Sequence, residues 1–220
     1  ILPLRGGVPT GQSVSAFNGM FVRDGVSDLL KVVIFLVTAV TYVYAKPYLS
    51  DRSLLKGEFY VLSLFAVLGM MILVSAGSLI TVYLGLELLA LSSYALVALD
   101  RDNRNSVESA MKYFVLGALA SGMLLYGMSM LYGASGSLDL QTIASVSAHA
   151  GDTRTLMLVG MVFVTVGIAF KFGAAPFHMW LPDVYHGAPT AITAFIGSAP
   201  KLAAFGMAYR LLDGGLGGLE

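Results

Sequence analysis

Long apolar stretches alternate with short polar segments along most of this chain. A helix needs about 20 mostly apolar residues to cross the hydrocarbon core of a bilayer, and a window of about 19 residues detects such helices. Six spans are predicted, at residues 26–48, 59–76, 79–99, 107–132, 156–176 and 190–212. The pattern therefore predicts an all-α integral membrane protein built as a polytopic transmembrane helix bundle.

The remaining segments are assigned by their polarity and position. Residues 1–25 form a polar extramembrane segment, residues 26–212 form the membrane domain, and residues 213–220 form a truncated loop. Because the chain starts at Ile1 and ends just after an apolar stretch, we expect it to be a piece of a longer protein. The second and third predicted spans are separated only by residues 77–78, so they are expected to be antiparallel neighbours.

Positive charge is distributed unevenly between the connections. The connections at 46–58 and 100–106 carry Lys46, Arg52, Lys56, Arg101 and Arg104. The opposite connections have no basic residue at 77–78 and only Arg154 in the long loop 133–155. The positive-inside rule therefore predicts that 46–58 and 100–106 face the cytoplasm and that the first span runs from outside to inside.

The composition agrees with a membrane setting and excludes several classes of function. Hydrophobic residues make up 57% of the chain and charged residues 12%, against roughly 25% charged residues in soluble domains. A net charge of zero without a basic tract argues against nucleic acid as a partner. The absence of cysteine excludes disulfides, thiol catalysis and iron–sulfur ligation by this chain. No nucleotide, flavin or metal motif is present, so we predict no cofactor bound by this chain.

Three charged residues lie deep within predicted spans. Glu87 is near the middle of the third span, Lys171 lies deep in the fifth, and Lys201 is central in the sixth. A lysine at the bilayer centre costs about 2.5 to 3.5 kcal/mol on insertion scales and usually serves a function. The candidates are a proton relay and a structural ion pair that holds helices together. Two lysines with one acid favour the relay, because a pair needs only one lysine.

Prolines occur within and between the last two spans, at Pro176, Pro182 and Pro200. Each removes a main-chain donor, so the carbonyl groups four residues earlier, at Phe172, His178 and Ile196, are expected to lose their helical partners. Unwound backbone inside a membrane is tolerated where it is buried in protein or lines a water-filled cavity. We predict a helix broken near residues 174–176. His178, just beyond the break, is either a proton carrier, since histidine titrates near neutral pH, or a hydrogen-bonded packing residue.

Residues 170–190 (FKFGAAPFHMWLPDVYHGAPT) resemble the signature of the antiporter-like subunits of respiratory complex I and of multisubunit cation/proton antiporters. The variant at residues 182–189, followed by Pro200 and Lys201, is most similar to the bacterial NADH:quinone oxidoreductase members. Residues 83–88 (YLGLEL) and 108–114 (ESAMKYF) resemble two earlier helices of the same family. The resemblance implies a subunit of fourteen helices with two inverted repeats of five, of which the first two helices and everything after the eighth are missing here.

The resemblance also implies roles for individual residues. Glu87 would be the switch carboxylate, Lys171 its partner on the broken helix, and Lys201 the central proton-transfer lysine. Lys112 matches a family lysine near the cytoplasmic end of its helix.

For the whole complex, the resemblance implies that NADH, FMN, iron–sulfur clusters and quinone are bound by other subunits. The implied partners are the other membrane subunits and the lipid bilayer, in the bacterial inner membrane. This chain would couple electron transfer to proton translocation. Two alternatives stay open: a subunit of a cation/proton antiporter that has no redox partner, and a structural membrane scaffold.

Overall fold

The fold is a bundle of long helices with a small two-stranded sheet at one end, in a computed structural model that describes residues 13–149 and 151–216. The strands are β1 (Val14–Ala16) and β2 (Phe21–Arg23). The helices are α1 (Gly25–Asp51), α2 (Gly57–Val74), α3 (Leu79–Val97), α4 (Arg104–Ser135), α5 (Leu140–Ser147), α6 (Arg154–Phe172), α7 (Trp180–Gly187) and α8 (Thr190–Ala208). A 3-10 turn at Gly151–Thr153 precedes α6, and a π-helical turn at Tyr209–Asp213 and a last short helix, α9 (Gly214–Leu216), follow α8.

Within the described ranges, six helices are long and apolar enough to cross a membrane: α1 to α4, α6 and α8, the last two together with their adjoining turns. Their bounds differ from the predicted spans chiefly at the fifth, which was predicted to reach residue 176. Helix α6 ends at Phe172 because Gly173 takes a left-handed conformation with φ of 72°, which glycine adopts readily as a helix C-cap. The predicted break is therefore present and begins a few residues earlier.

The two ends of the bundle can be told apart by their contacts. At one end, Arg101 forms an ion pair with Glu58 (2.8 Å), and the hydroxyl of Tyr48 donates to the hydroxyl of Thr190 (3.2 Å). The connections after α1 and α3 and the start of α8 therefore lie at the same end, as the predicted topology requires. We call this the basic end and the other the hairpin end.

The sequence did not predict the β1–β2 hairpin, in which Ser15 pairs with Val22. Strand β2 also pairs with the α2–α3 connection, through a single antiparallel β-bridge between Phe21 and Ala76. That connection also carries Gly77, where a β-carbon would collide with the main-chain oxygen of Gly19. The hairpin thus packs so closely on the α2–α3 connection that only glycine fits at position 77.

Helix α4 is 32 residues long and supports the broken helix along its length, since both α6 and α7 pack against it. Helices α4 and α6 approach closely at Gly127 and Gly160, where a β-carbon on Gly127 would lie 2.7 Å from the Gly160 oxygen. Small residues at such crossings let backbones approach closely in lipid. Helix α4 therefore sets the positions of both halves of the broken helix and of the charged residues they carry.

Candidate functional site

The indole of Trp180, at the start of α7, contacts α6 across the break between the two helices. Its Nε1–H donates a hydrogen bond to the main-chain oxygen of Phe170 (2.9 Å). The indole is almost fully buried and stacks on Tyr113 of α4, with ring centroids 4.6 Å apart. The first residue of α7 is thereby fixed against both α6 and α4.

Lys201 of α8 points at the end of α6. Its Nζ donates hydrogen bonds to the main-chain oxygens of Lys171 (2.8 Å) and Phe172 (3.0 Å). The same Nζ lies 4.8 Å from the ring centroid of Trp180, within the range of a cation–π interaction. The carbonyl of Phe172, which was predicted to lose its helical partner, is thus satisfied by a lysine side chain.

The carbonyl of His178 also lacks its usual helical partner, because residue 182 is proline. Its oxygen is nevertheless not left unpaired, since it accepts a hydrogen bond from the N–H of Leu181, three residues on (2.9 Å). The side chain of His178 is exposed on the surface of this chain. The proton-carrier role of His178 stays a prediction.

Glu87 of α3 is half-buried and faces α4, where the hydroxyl of Ser121 donates a hydrogen bond to its Oε1. Across the described ranges, no ion pair within 4.0 Å joins Glu87 to Lys171. Both residues instead line one small cavity of about 10 Å³ between α3, α4 and α6, together with Tyr94 and Ser121. This volume is close to the smallest that holds a water molecule.

A second cavity of about 10 Å³ between α3, α6 and α8 also has Lys171 in its wall. Lys171, Lys201, Trp180 and Ser93 contribute to its walls. Lys171 and Leu86 line both cavities. The three predicted residues therefore form a row in the order Glu87, Lys171, Lys201, with Lys171 between the other two.

Lys112 lies apart from this row, nearer the basic end of α4. Its Nζ contacts carboxylate oxygens of Glu108 and Asp183, each at 3.0 Å. The three charges line an open cavity of about 610 Å³ between α4 and α7. The main-chain oxygen of Asp183 also accepts a hydrogen bond from Ser109 (2.8 Å). This group connects α4 to α7 at the surface and shares no lining residue with the two small cavities.

A further pair of charges is buried at the hairpin end. Arg210, in the π-helical turn after α8, donates to both carboxylate oxygens of Asp24 (2.7 and 2.9 Å) and to the oxygen of Val74 (3.1 Å). Asp24 also accepts from the N–H of Ser27 and caps α1. Burial acts to raise the pKa of Asp24, but the hydrogen bonds from Arg210 and Ser27 and the charge of Arg210 outweigh it, so this pKa lies below its ordinary value.

Sequence reasoning missed four of these partners: Ser121, Trp180, Asp183 and Asp24. Trp180 and Asp183 stand inside the segment that carries the family signature, which marks the segment but not the contacts that these two side chains make. Ser121 lies 34 positions from Glu87 and Asp24 lies 186 positions from Arg210. Nothing local in the sequence points to either contact.

No group of three or more histidine, cysteine, aspartate or glutamate side chains that fits a metal ion occurs among residues 13–149 and 151–216. The site consists of main-chain carbonyl groups, lysines, carboxylates and hydroxyls. The lysine, carboxylate and hydroxyl groups can hold or pass a proton, and the carbonyl groups accept hydrogen bonds from protonated lysines.

A multi-pass helix bundle with a broken helix and half-buried ionisable residues between its helices is typical of membrane proteins that move ions. A sequence model of the NADH:quinone oxidoreductase/Mrp antiporter transmembrane family matches residues 76–214. The chain belongs to this family, and its fold is part of the antiporter-like inverted-repeat fold.

Curated proteins that are similar in sequence to this chain are about twice as long. NADH-quinone oxidoreductase subunit N of Thioalkalivibrio sulfidiphilus is 59% identical over 205 residues, which are 93% of this chain and 43% of that protein. The subunit N of Xanthomonas euvesicatoria pv. vesicatoria is 62% identical over 211 residues, which are 96% of this chain and 43% of that protein. The chain thus spans less than half the length of the curated relatives it matches.

Two solved structures contain a chain with a similar fold. A chain of respiratory complex I from Thermus thermophilus with bound Aureothin matches with a TM-score of 0.75 and 35% identity, over 95% of this chain and 44% of that one. A chain of the Mrp complex from Dietzia sp. DQ12-45-1b matches with a TM-score of 0.71 and 25% identity, over 88% of this chain and 36% of that one.

Proposed function

We propose that this chain is part of subunit N of a bacterial NADH:quinone oxidoreductase and that it translocates protons through Glu87, Lys171 and Lys201. The observation that carries the proposal is the row of two adjoining cavities, with Lys171 in the walls of both. A proton can pass along such a row through single water molecules between side chains that alternate between charged and neutral forms.

Each residue has a distinct part in this proposal. Glu87 is the switch carboxylate, because its ionisation changes the field at Lys171 across the shared cavity. Lys171 responds to the changed field by holding or releasing a proton, which alters the charge in the wall of the second cavity. Lys201 is the central proton-transfer lysine, and its side chain is held at the break of the helix. Lys112 and His178 are further candidate carriers, since both are exposed to the surroundings of this chain.

The proposal extends to the assembly in which the chain works. Electron transfer from NADH to quinone, with FMN and iron–sulfur clusters, takes place on other subunits, and this subunit uses the released energy. Its partners are the other membrane subunits and the lipid bilayer of the bacterial inner membrane. The identity to curated subunit N proteins, 54% to 62% in eight of them, supports this assignment.

The second candidate function is cation/proton antiport without a redox partner. The observation that favours it is the structural similarity to a chain of the Mrp complex. Against it stand the higher identity to the complex I chain, 35% against 25%, and the subunit N relatives. A purely structural scaffold is the third candidate, and the lack of a direct ion pair between Glu87 and Lys171 in the described ranges counts against it.

Transport in inverted membrane vesicles that contain the complete protein separates these functions. We expect NADH to drive proton uptake into the vesicles, sensitive to an inhibitor of quinone reduction. Sodium/proton exchange in the absence of NADH would instead support the antiporter. If deletion of the gene lowered the amount of assembled complex, while proton uptake per electron in the remaining complex were unchanged, the scaffold would be supported.

A further inference from the structure

The ammonium group of Lys201 is held by groups that belong to other helices. Two acceptors are the main-chain oxygens of Lys171 and Phe172, at 2.8 and 3.0 Å from Nζ. The third neighbour is the indole ring of Trp180, at 4.8 Å. We call these three groups the ammonium cradle.

All three groups of the cradle attract a cation. The carbonyls belong to the last turn of α6, where helical partners are missing and the helix dipole leaves a partial negative charge. The face of an indole ring is also negative and attracts ammonium groups. A primary ammonium has three N–H donors, which matches two carbonyl oxygens and one ring face.

Each group of the cradle is also held by contacts that do not involve Lys201. Trp180 is held by its hydrogen bond to Phe170 and by stacking on Tyr113. The two carbonyls are fixed by α6, which ends at Phe172 because of Gly173. Lys201 therefore enters a preformed arrangement and does not build it.

We propose that the cradle is a binding site for a primary ammonium group, and that the side chain of Lys201 occupies it only while it is protonated. When R–NH3+ releases its proton to water or to a neighbouring carrier, the R–NH2 that remains has two N–H donors and a lone pair. The two N–H donors can still reach the two carbonyl oxygens, but the lone pair then faces the negative indole ring and the positive charge that all three groups attract is gone. Proton release therefore goes together with movement of the side chain out of the cradle. The role of Lys201 as a carrier rests on the proposed function, but the affinity of the cradle for ammonium does not.

A free amine can replace the side chain in this site. The substitution Lys201→Ala removes the atoms from Cγ to Nζ, and n-propylammonium supplies the same number of carbon and nitrogen atoms. We expect it to bind the Lys201→Ala protein with a dissociation constant of about 1 to 10 mM, weaker than the best that so few heavy atoms reach. Binding is measured in the complete protein labelled with fluorotryptophan, from the fluorine NMR resonance of Trp180, which Trp180→Phe identifies.

Lys201→Met is the matched control, because it also removes the charge but its side chain fills the space. We expect no shift of the Trp180 resonance with n-propylammonium in this variant. Tetramethylammonium, which has no N–H donor, should leave Lys201→Ala unchanged. The proposal is overturned if n-propylammonium does not move the resonance in folded Lys201→Ala, or if Lys201→Met or tetramethylammonium gives the same shift.

The wild-type protein supplies a second measurement that does not depend on the folding of Lys201→Ala. Raising the pH should move the Trp180 resonance as Lys201 loses its proton and leaves the cradle. In Lys201→Arg the same resonance should stay in place, because a guanidinium remains protonated. A resonance that does not titrate at any pH at which the protein is folded would contradict the link between protonation and position.

Pumping by Lys201→Ala separates this inference from the proposed function. We expect n-propylammonium to raise NADH-driven membrane potential severalfold in Lys201→Ala vesicles and not in Lys201→Met vesicles. Membrane potential is the suitable signal, since permeant amines dissipate a pH gradient. If n-propylammonium bound Lys201→Ala but did not restore the membrane potential, the ammonium cradle would be supported and the role of Lys201 as the proton carrier would be contradicted.

Discussion

Ser121 in α4 donates its hydroxyl hydrogen to the carboxylate of Glu87 in α3, across one of the two small cavities of the bundle. This contact fixes the direction in which the carboxylate points. It also explains why Glu87 shares a cavity with Lys171 without forming a direct ion pair with it, since the nearest partner of the carboxylate is neutral. Across a cavity, Glu87 can change its electrostatic effect on Lys171 without a direct ion pair having to separate. Separating a direct ion pair would leave each charge without its partner, which is costly.

The first prediction is that Ser121→Ala impairs proton pumping while the complex still assembles. A hydrogen bond to a charged group contributes about 1.5 to 3 kcal/mol, so its loss changes the populations of the carboxylate forms by about tenfold or more. Proton uptake per electron should fall in inverted vesicles. Ser121→Thr keeps the hydroxyl and should retain most of the activity.

Ser129→Ala is the matched control for position in the same helix, since Ser129 is exposed and, among residues 13–149 and 151–216, its hydroxyl bonds to the main-chain oxygen of Tyr126 alone. It should pump like the wild type. Equal losses in Ser121→Ala and Ser129→Ala would contradict a specific role of the Glu87 contact.

The second prediction concerns the chemistry of Lys201. Lys201→Met should abolish or strongly reduce pumping and leave assembly intact, because an apolar side chain of similar length is cheaper to bury. Lys201→Arg should also pump poorly, since a guanidinium keeps its charge and does not release a proton. Proton uptake and the amount of assembled complex are measured together. Wild-type pumping per electron in fully assembled Lys201→Met would rule out Lys201 as a carrier.

The third prediction concerns the buried ion pair of Asp24 and Arg210. Arg210 is only 9% exposed and donates two hydrogen bonds to Asp24, so Arg210→Met should destabilise the protein by about 1.5 to 3 kcal/mol, the usual contribution of hydrogen bonding to a charged group. Arg101→Met is the control, because the pair of Arg101 and Glu58 is largely exposed and such pairs contribute about 0 to 1 kcal/mol. Thermal unfolding in detergent measures both.

The same pair makes stability depend on pH. Because the folded-state pKa of Asp24 lies below its ordinary value, its contribution is present above the unfolded value of about 3.9 and is lost as the pH falls through the folded value. The difference in melting temperature between the wild type and Asp24→Asn should therefore be large at neutral pH and shrink below about pH 4. A difference that stays constant over this range would exclude the carboxylate as its source.

The sequence predicted the parts of this structure that depend on local pattern. Apolar length predicted the membrane helices, and Pro176 with the excessive length of the apolar run predicted the break. The depth of Glu87, Lys171 and Lys201 in apolar sequence marked them as candidates because charge is costly there. These features follow from residues close together in the chain.

What the sequence did not predict depends on packing between distant segments. The cradle of Lys201 uses carbonyl groups 29 and 30 positions away, and any residue type supplies a carbonyl. The partner of Glu87 is a serine among several in α4, distinguished only by the angle at which α3 and α4 meet. The hairpin of β1 and β2 is too short for an alternating pattern to stand out, and its pairing with the α2–α3 connection is a tertiary contact.

The last prediction is that Glu87 and Lys171 act on each other. They line the same cavity, so removing the charge of Glu87 changes the field in which Lys171 exchanges its proton. If the two form one switch, Glu87→Gln and Lys171→Met should each reduce pumping strongly, and the double variant should lose little more than either single variant. Proton uptake per electron and assembly are measured in parallel for all three. Strictly additive losses would argue against a coupled switch. Loss of assembly with normal pumping in the remaining complexes would instead favour a structural pair, because an uncompensated buried charge costs about 3 to 5 kcal/mol of stability and leaves the transport step itself untouched.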